Sequence, residues 1–148
     1  MRRILPALLL GLAAITSLPG ASGAREVTPA EKRVLPYTAD IPFCGDPAVL
    51  AMVANRFAET QSQFWNTDLT IVEYDRIRPL AFKPWGLDFI PRRFCTATAT
   101  LSDRSRHRVD YSVGEDSGFI GNGFGVVFCV QGLDPNLAYA PDCRMARP

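Results

Sequence analysis

Phe94-Cys95-Thr96-Ala97-Thr98-Ala99-Thr100-Leu101 alternates without a break: Cys95, Ala97, Ala99 and Leu101 fall on one side, Phe94 and three threonines on the other. Successive side chains of an extended chain point to opposite faces, so this period of two predicts a half-buried strand. The small residues on its inner side leave room for a helix. Ser102-Asp103-Arg104-Ser105-Arg106 follows as a polar turn, and Arg108 to Val113 returns with Val109, Tyr111 and Val113 facing inward. The two runs make a hairpin, which sets an antiparallel sheet at the centre of the fold.

Working outward from the hairpin, Leu69-Thr70-Ile71-Val72-Glu73-Tyr74 is a preceding strand, rich in β-branched residues and stopped or bent at Arg78-Pro79. Leu80 to Pro91 is expected to be a connection that packs down through Phe82, Trp85 and Phe89. On the other side, a glycine-rich connection from Gly114 to Gly123 leads to a fourth strand. There Phe124, Val126, Phe128 and Val130 face inward while Val127 and Cys129 face out. From 134 the chain is a tail interrupted by Pro135, Pro141 and Pro148, which excludes regular structure throughout.

Ahead of the strands, Asp46-Pro47 reads as an N-cap followed by proline at the first helical position, where its missing N–H costs nothing. Val49, Leu50, Val53, Phe57 and Phe64 or Trp65 recur at three- and four-residue spacings, with Asn55, Arg56, Glu59 and Ser62 opposite. That is one amphipathic helix of about five turns. A helix followed by a four-stranded antiparallel meander is an α+β arrangement in which the sheet curls around the helix. Over roughly residues 44 to 133 this architecture resembles cystatin-like and NTF2-like folds. Such folds host unrelated activities, so the likeness implies little about chemistry. The run Ile90-Pro91-Arg92-Arg93-Phe94-Cys95 and the tail from Cys129 to Tyr139-Ala140-Pro141-Asp142-Cys143 also resemble small secreted bacterial proteins of uncharacterised function.

The N-terminus predicts export. Arg2 and Arg3 precede an apolar stretch from Ile4 to Leu18, too short for a comfortable bilayer span, and Ser22-Gly23-Ala24 offers small residues for cleavage before Arg25. The expected division is a signal peptide over 1–24, an extended arm over 25–43 broken by Pro29, Pro36 and Pro42, and one α+β domain over 44–148. No later segment could span a membrane. Removing the leader takes away two arginines and no carboxylate, which leaves fourteen basic residues against fifteen acidic ones. That balance gives no argument for nucleic acid.

Four cysteines in an exported chain, with no CxxC spacing and one histidine, predict two structural disulfides and no metal or cofactor. Facing and sheet end select the pairing. Cys44 precedes the helix at the end of the sheet where Cys95 enters and faces the core. Cys129 points to the opposite face, where only the returning tail with Cys143 is available. The expected bridges are therefore Cys44 with Cys95 and Cys129 with Cys143.

Each candidate for chemistry has a plainer reading. His107 with Asp103 or Asp110 could act as a general base, but among Arg104, Arg106 and Arg108 it reads as an exposed turn histidine. Glu115 and Asp116 with Asp110 could be paired acids, but neighbours in a turn diverge and read as solvated. Gly118 to Gly125 is glycine-dense but leads into a strand, so it lacks the helix N-terminus that holds phosphate. Its Phe119-Ile120 pair could form a partner-binding tip. Arg92 and Arg93 beside Trp85 and Phe89 could stack on a partner, or pair with Asp88 or Asp142. Val130-Gln131-Gly132 lacks the order and spacing of the cystatin inhibitory hairpin.

These readings converge on a secreted, periplasmic, non-enzymatic domain that binds a protein or envelope partner through loops at one sheet end. The alternative is a small molecule held in a cavity between helix and sheet, where Ala97 and Ala99 leave space.

Overall fold

Asp46 caps the α-helix as its residue type predicts: its backbone is extended and its carboxylate accepts the Ala48 N–H at 2.8 Å. Pro47 takes the first helical position, and α1 runs over Pro47–Phe64. The computed structural model describes residues 37–84 and 90–148. The leader, the arm as far as residue 36, and the stretch holding Trp85, Asp88 and Phe89 lie outside the described residues. Among the described residues, no helix is long and apolar enough to cross a membrane.

Four strands follow: β1 (Ile71–Lys83), β2 (Arg92–Leu101), β3 (Arg106–Gly114) and β4 (Gly125–Val130). They form one antiparallel sheet in chain order, β1-β2-β3-β4. The alternation in β2 and β3 works as the pattern requires. Cys95, Ala97, Ala99 and Leu101 are buried together with Val109, Tyr111 and Val113, and α1 brings Val49, Val53 and Phe57 into the same cluster. Val126 and Val130 complete it from β4, with Phe124 and Phe128 packed at its margin. Full burial of a side chain such as Phe57 stabilises the fold by roughly 1.5–3 kcal/mol.

Two expectations need correction. Of the stop and the bend expected at Arg78-Pro79, the register shifts at Asp75/Arg78 and Pro79/Ala81 fit the bend: β1 continues to Lys83 with Pro79 opposite Cys95, so the connection expected from Leu80 begins only after Lys83. A proline is tolerated there because β1 is an edge strand, whose outward side needs no N–H, and the irregularities absorb the misfit. The last turns of α1 also differ. The buried stripe is Val49, Val53, Phe57 and Gln61; of the two aromatics expected to close it, Phe64 is 70% exposed and Trp65 is half-buried. Gln61 is accommodated because the Thr67 hydroxyl donates to its side-chain carbonyl at 2.8 Å.

The tail crosses the outer face of the sheet. A short 3₁₀ turn, Pro141–Ala146, packs against β3 and β4, with Cys143 and Ala146 buried beside Cys129. Arg147 donates to the Asp142 carbonyl and, through Nε, to the buried Asp110 carboxylate at 3.1 Å. Arg108 holds the other oxygen of Asp110 at 2.9 Å. Cys44 is bonded to Cys95, with Cα atoms 5.7 Å apart, and Cys129 to Cys143, with Cα atoms 5.6 Å apart. These are the pairs that strand facing and sheet end select.

Candidate functional site

Register brings several loops to one end of the sheet. Lys83 lies opposite Arg92, Arg92 opposite Gly114, and Gly114 opposite Gly125. The β1–β2 and β3–β4 connections therefore leave from the same end, and the Cys44–Cys95 bridge ties the chain before α1 to it.

Arg93 organises the first part of this surface. Its guanidinium lies 4.8 Å from the Phe43 ring centre and 4.5 Å from that of Phe82, and its Nε donates to the Pro42 carbonyl at 3.1 Å. Phe43 is 74% exposed, so the stack is a surface feature. The negative face of an aromatic ring attracts a cation, and each such contact contributes about 0.5–1 kcal/mol at an exposed site. Lys83 repeats the motif, with Nζ 5.2 Å from the Phe94 ring centre. The arrangement is a half-immobilised arginine between two rings. Arg93 does not pair with Asp142, which instead accepts from the Gln131 amide. Arg92 is half-buried, and Trp85 is outside the described residues.

Glu115 fixes the segment that carries Phe43. One carboxylate oxygen accepts the Thr38 N–H at 2.8 Å and its hydroxyl at 2.9 Å; the other accepts the Ala39 N–H at 2.7 Å. Burial pushes this carboxyl up, but the bonds from Thr38 and Ala39 outweigh it and hold the group below its ordinary value. The reading of Glu115 as a freely solvated turn residue is corrected: it is half-buried and bonded to the arm.

The β3–β4 connection presents the third part. Phe119–Gly121 forms a single 3₁₀ turn in which Phe119 is 85% and Ile120 is 86% exposed. The base of this tip is tight. Ser117 Oγ donates to the Gly114 carbonyl at 2.8 Å and accepts the Gly125 N–H at 3.2 Å. A Cβ on Gly125 would stand 2.0 Å from the Ser117 carbonyl oxygen, so only glycine fits. Ile120 itself adopts φ 55°, a left-handed conformation that is uncommon for a β-branched residue.

The remaining candidates are engaged elsewhere. His107 is in β3, half-buried, with Nδ1 2.9 Å from the Gln131 carbonyl oxygen and Nε2 3.0 Å from Ser105 Oγ. It is not the exposed turn histidine expected, because β3 begins at Arg106 and draws His107 into the ladder. Asp103 turns its carboxylate to the Ser105 N–H and hydroxyl; these bonds, the hydroxyl's first, hold it below its ordinary value. Asp110 is buried between Arg108 and Arg147, so neither acid orients the imidazole. No group of acidic, histidine and cysteine side chains able to hold a metal occurs among the described residues. Gln61 is the residue that the hydrophobic pattern passed over. Its signal is a polar side chain at the next step of a four-residue stripe.

Comparison with family models, with curated proteins and with solved structures finds no match for this chain.

Proposed function

We propose that the chain is exported, loses residues 1–24, and works in the bacterial periplasm as a non-enzymatic module that binds another protein through the loops at one end of its sheet. The observation that carries this reading is the adjacent, nearly fully exposed pair Phe119 and Ile120 on a tip whose base is fixed. Two large apolar side chains held in water favour association, since covering them recovers hydrophobic free energy. The Phe43–Arg93–Phe82 stack at the same sheet end adds arginine and aromatic surface of the kind enriched in interfaces. Two disulfides and the leader's composition support an oxidising compartment. The engagement of both His107 nitrogens and of the Asp110 carboxylate supports a non-catalytic role.

A photo-crosslinking residue at Phe119 in the full chain, expressed with its leader in a bacterial host, tests the reading. A discrete periplasmic adduct is expected from this position and not from Val72, which is exposed on β1. Replacing Ile120 by serine should weaken the adduct without changing the melting temperature. Equal adducts from both positions, or none from Phe119, would sink the proposal.

A further inference from the structure

Between the second half of α1, β4 and the tail lies a cleft of about 280 Å³. It is distinct from the inner face at Ala97 and Ala99, which is buried in the core. Phe57 and Trp65 form its wall on the helix side, Phe128 on the β4 side, and Leu133 and Tyr139 on the tail side. It lies away from the loop end, where β4 runs out into the tail.

The tail wall is fixed without a ligand. Asp134 accepts the N–H groups of Ala138 at 3.0 Å and Tyr139 at 2.9 Å, one with each carboxylate oxygen. The Leu133 N–H donates to the Val130 carbonyl at 3.0 Å, and the Cys129–Cys143 bridge fastens the segment beyond. A wall ordered in advance spares a ligand the entropy of ordering it.

Gln61 also lines the cleft and is only 4% exposed. One end of its amide is bonded to the Thr67 hydroxyl, and the other makes no hydrogen bond among the described residues. No fully buried side-chain nitrogen or oxygen among those residues lacks a partner, which fits an amide end that keeps a little accessible surface. The cleft that Gln61 lines is the space on which that end can open. An amide can be turned end for end, but in either orientation one polar terminus is satisfied by Thr67 and the other is offered to a guest. A guest that both donates and accepts suits either orientation.

The lining contains no lysine or arginine, and its one charged side chain, Asp134, is already occupied by backbone N–H groups. An anion finds no counter-charge there. Typical drug-sized pockets span roughly 300–1,000 Å³, so a cleft just below that range takes a single ring with one polar group. We infer that this cleft binds a small uncharged cyclic molecule whose amide or hydroxyl group bonds the free end of the Gln61 side chain. The inference does not rest on the loop-end reading.

The test is titration of the oxidised chain with benzamide, benzoate and benzylamine, following the Trp65 indole N–H and the Gln61 side-chain amide by NMR. Benzamide should shift both resonances saturably with a dissociation constant of roughly millimolar or tighter. The two charged analogues should bind about tenfold more weakly or not at all. Gln61→Met keeps the apolar stem and removes the amide, and should weaken benzamide by up to about tenfold, the worth of one hydrogen bond. Absence of any saturable Trp65 shift, or equal binding of the three compounds, would overturn the site. Unchanged benzamide affinity in Gln61→Met would overturn the role of the amide.

Discussion

The Tyr111 hydroxyl donates to the carbonyl oxygen of Cys44 at 2.7 Å, across a sequence separation of 67 residues. Tyr111 stands opposite Cys95 in the β2–β3 register, and Cys95 is bonded to Cys44. Side chains of two neighbouring strands thus grip the same residue, once covalently and once by a hydrogen bond. Burial pushes the Tyr111 hydroxyl up to about 12, so it remains a donor across the neutral range.

Tyr111→Phe keeps the ring and strands a buried acceptor, and should lower the unfolding free energy by about 1–2 kcal/mol in urea titration. Both holds act on Cys44. The combined loss of hydroxyl and bridge should therefore depart from the sum of the single losses by more than about 0.5 kcal/mol.

The bridges close loops of unequal length, with sequence separations of 51 and 14 residues. In the chain-entropy account, removing Cys44–Cys95 by paired alanine substitution costs about 4 kcal/mol and removing Cys129–Cys143 about 3 kcal/mol. Denaturant unfolding of the two variants should show that order. Hydrogen exchange should quicken over residues 133–147 in the second variant alone.

Glu115 makes the arm pH-sensitive. Its folded pKa is depressed, so the stability it contributes is complete above the unfolded carboxyl's ordinary value and lost as pH falls through the folded one. Amide protection at Thr38 and Ala39, corrected for intrinsic exchange, should fall over that acid window. Glu115→Gln should lower protection at neutral pH and abolish the pH dependence.

Asp110 pairs with Arg108 and Arg147 at once, and its side chain is fully buried while those of the arginines are 38% and 30% exposed. Asp110→Asn leaves two cations without their partner. Their partial exposure lets water compensate in part, so the expected cost is about 1–3 kcal/mol, below that of breaking a fully buried pair. Limited tryptic digestion should cut the tail after Arg144 sooner than in the parent chain.

The hairpin, the capped start of α1 and the two faces of β4 were legible in the sequence because one local rule decides each: alternation, an N-cap before proline, bulky against small side chains. The extent of β1 was not legible. A proline is a stop signal within a ladder and a tolerated residue on an edge, and which applies depends on strand order. Gln61, to which the pattern assigned no face, entered the stripe that Phe64 was a candidate to close, for a similar reason. By helical angle Phe64 belongs to the buried stripe, but no described residue packs over it, while Thr67 supplies the bond that lets a polar residue enter. His107 was misplaced by the short turn before β3. At the loop end, Phe119 and Ile120 drew attention by type alone, whereas the Arg93 stack depends on Phe43, which only the fold brings near.

The irregular course of β1 bears on how the protein keeps to itself. The strand carries a proline, three shifts of register against β2 that disturb its straight course, and the cations Arg76, Arg78 and Lys83. A second copy would find no straight row of unpaired amides there on which to add a strand. At the far margin, the Arg56 guanidinium bonds the Val126 carbonyl at 2.7 Å and so blocks that backbone acceptor. The sheet therefore offers poor footholds for fibril growth, and concentrated solutions of the oxidised chain should stay free of ordered aggregates.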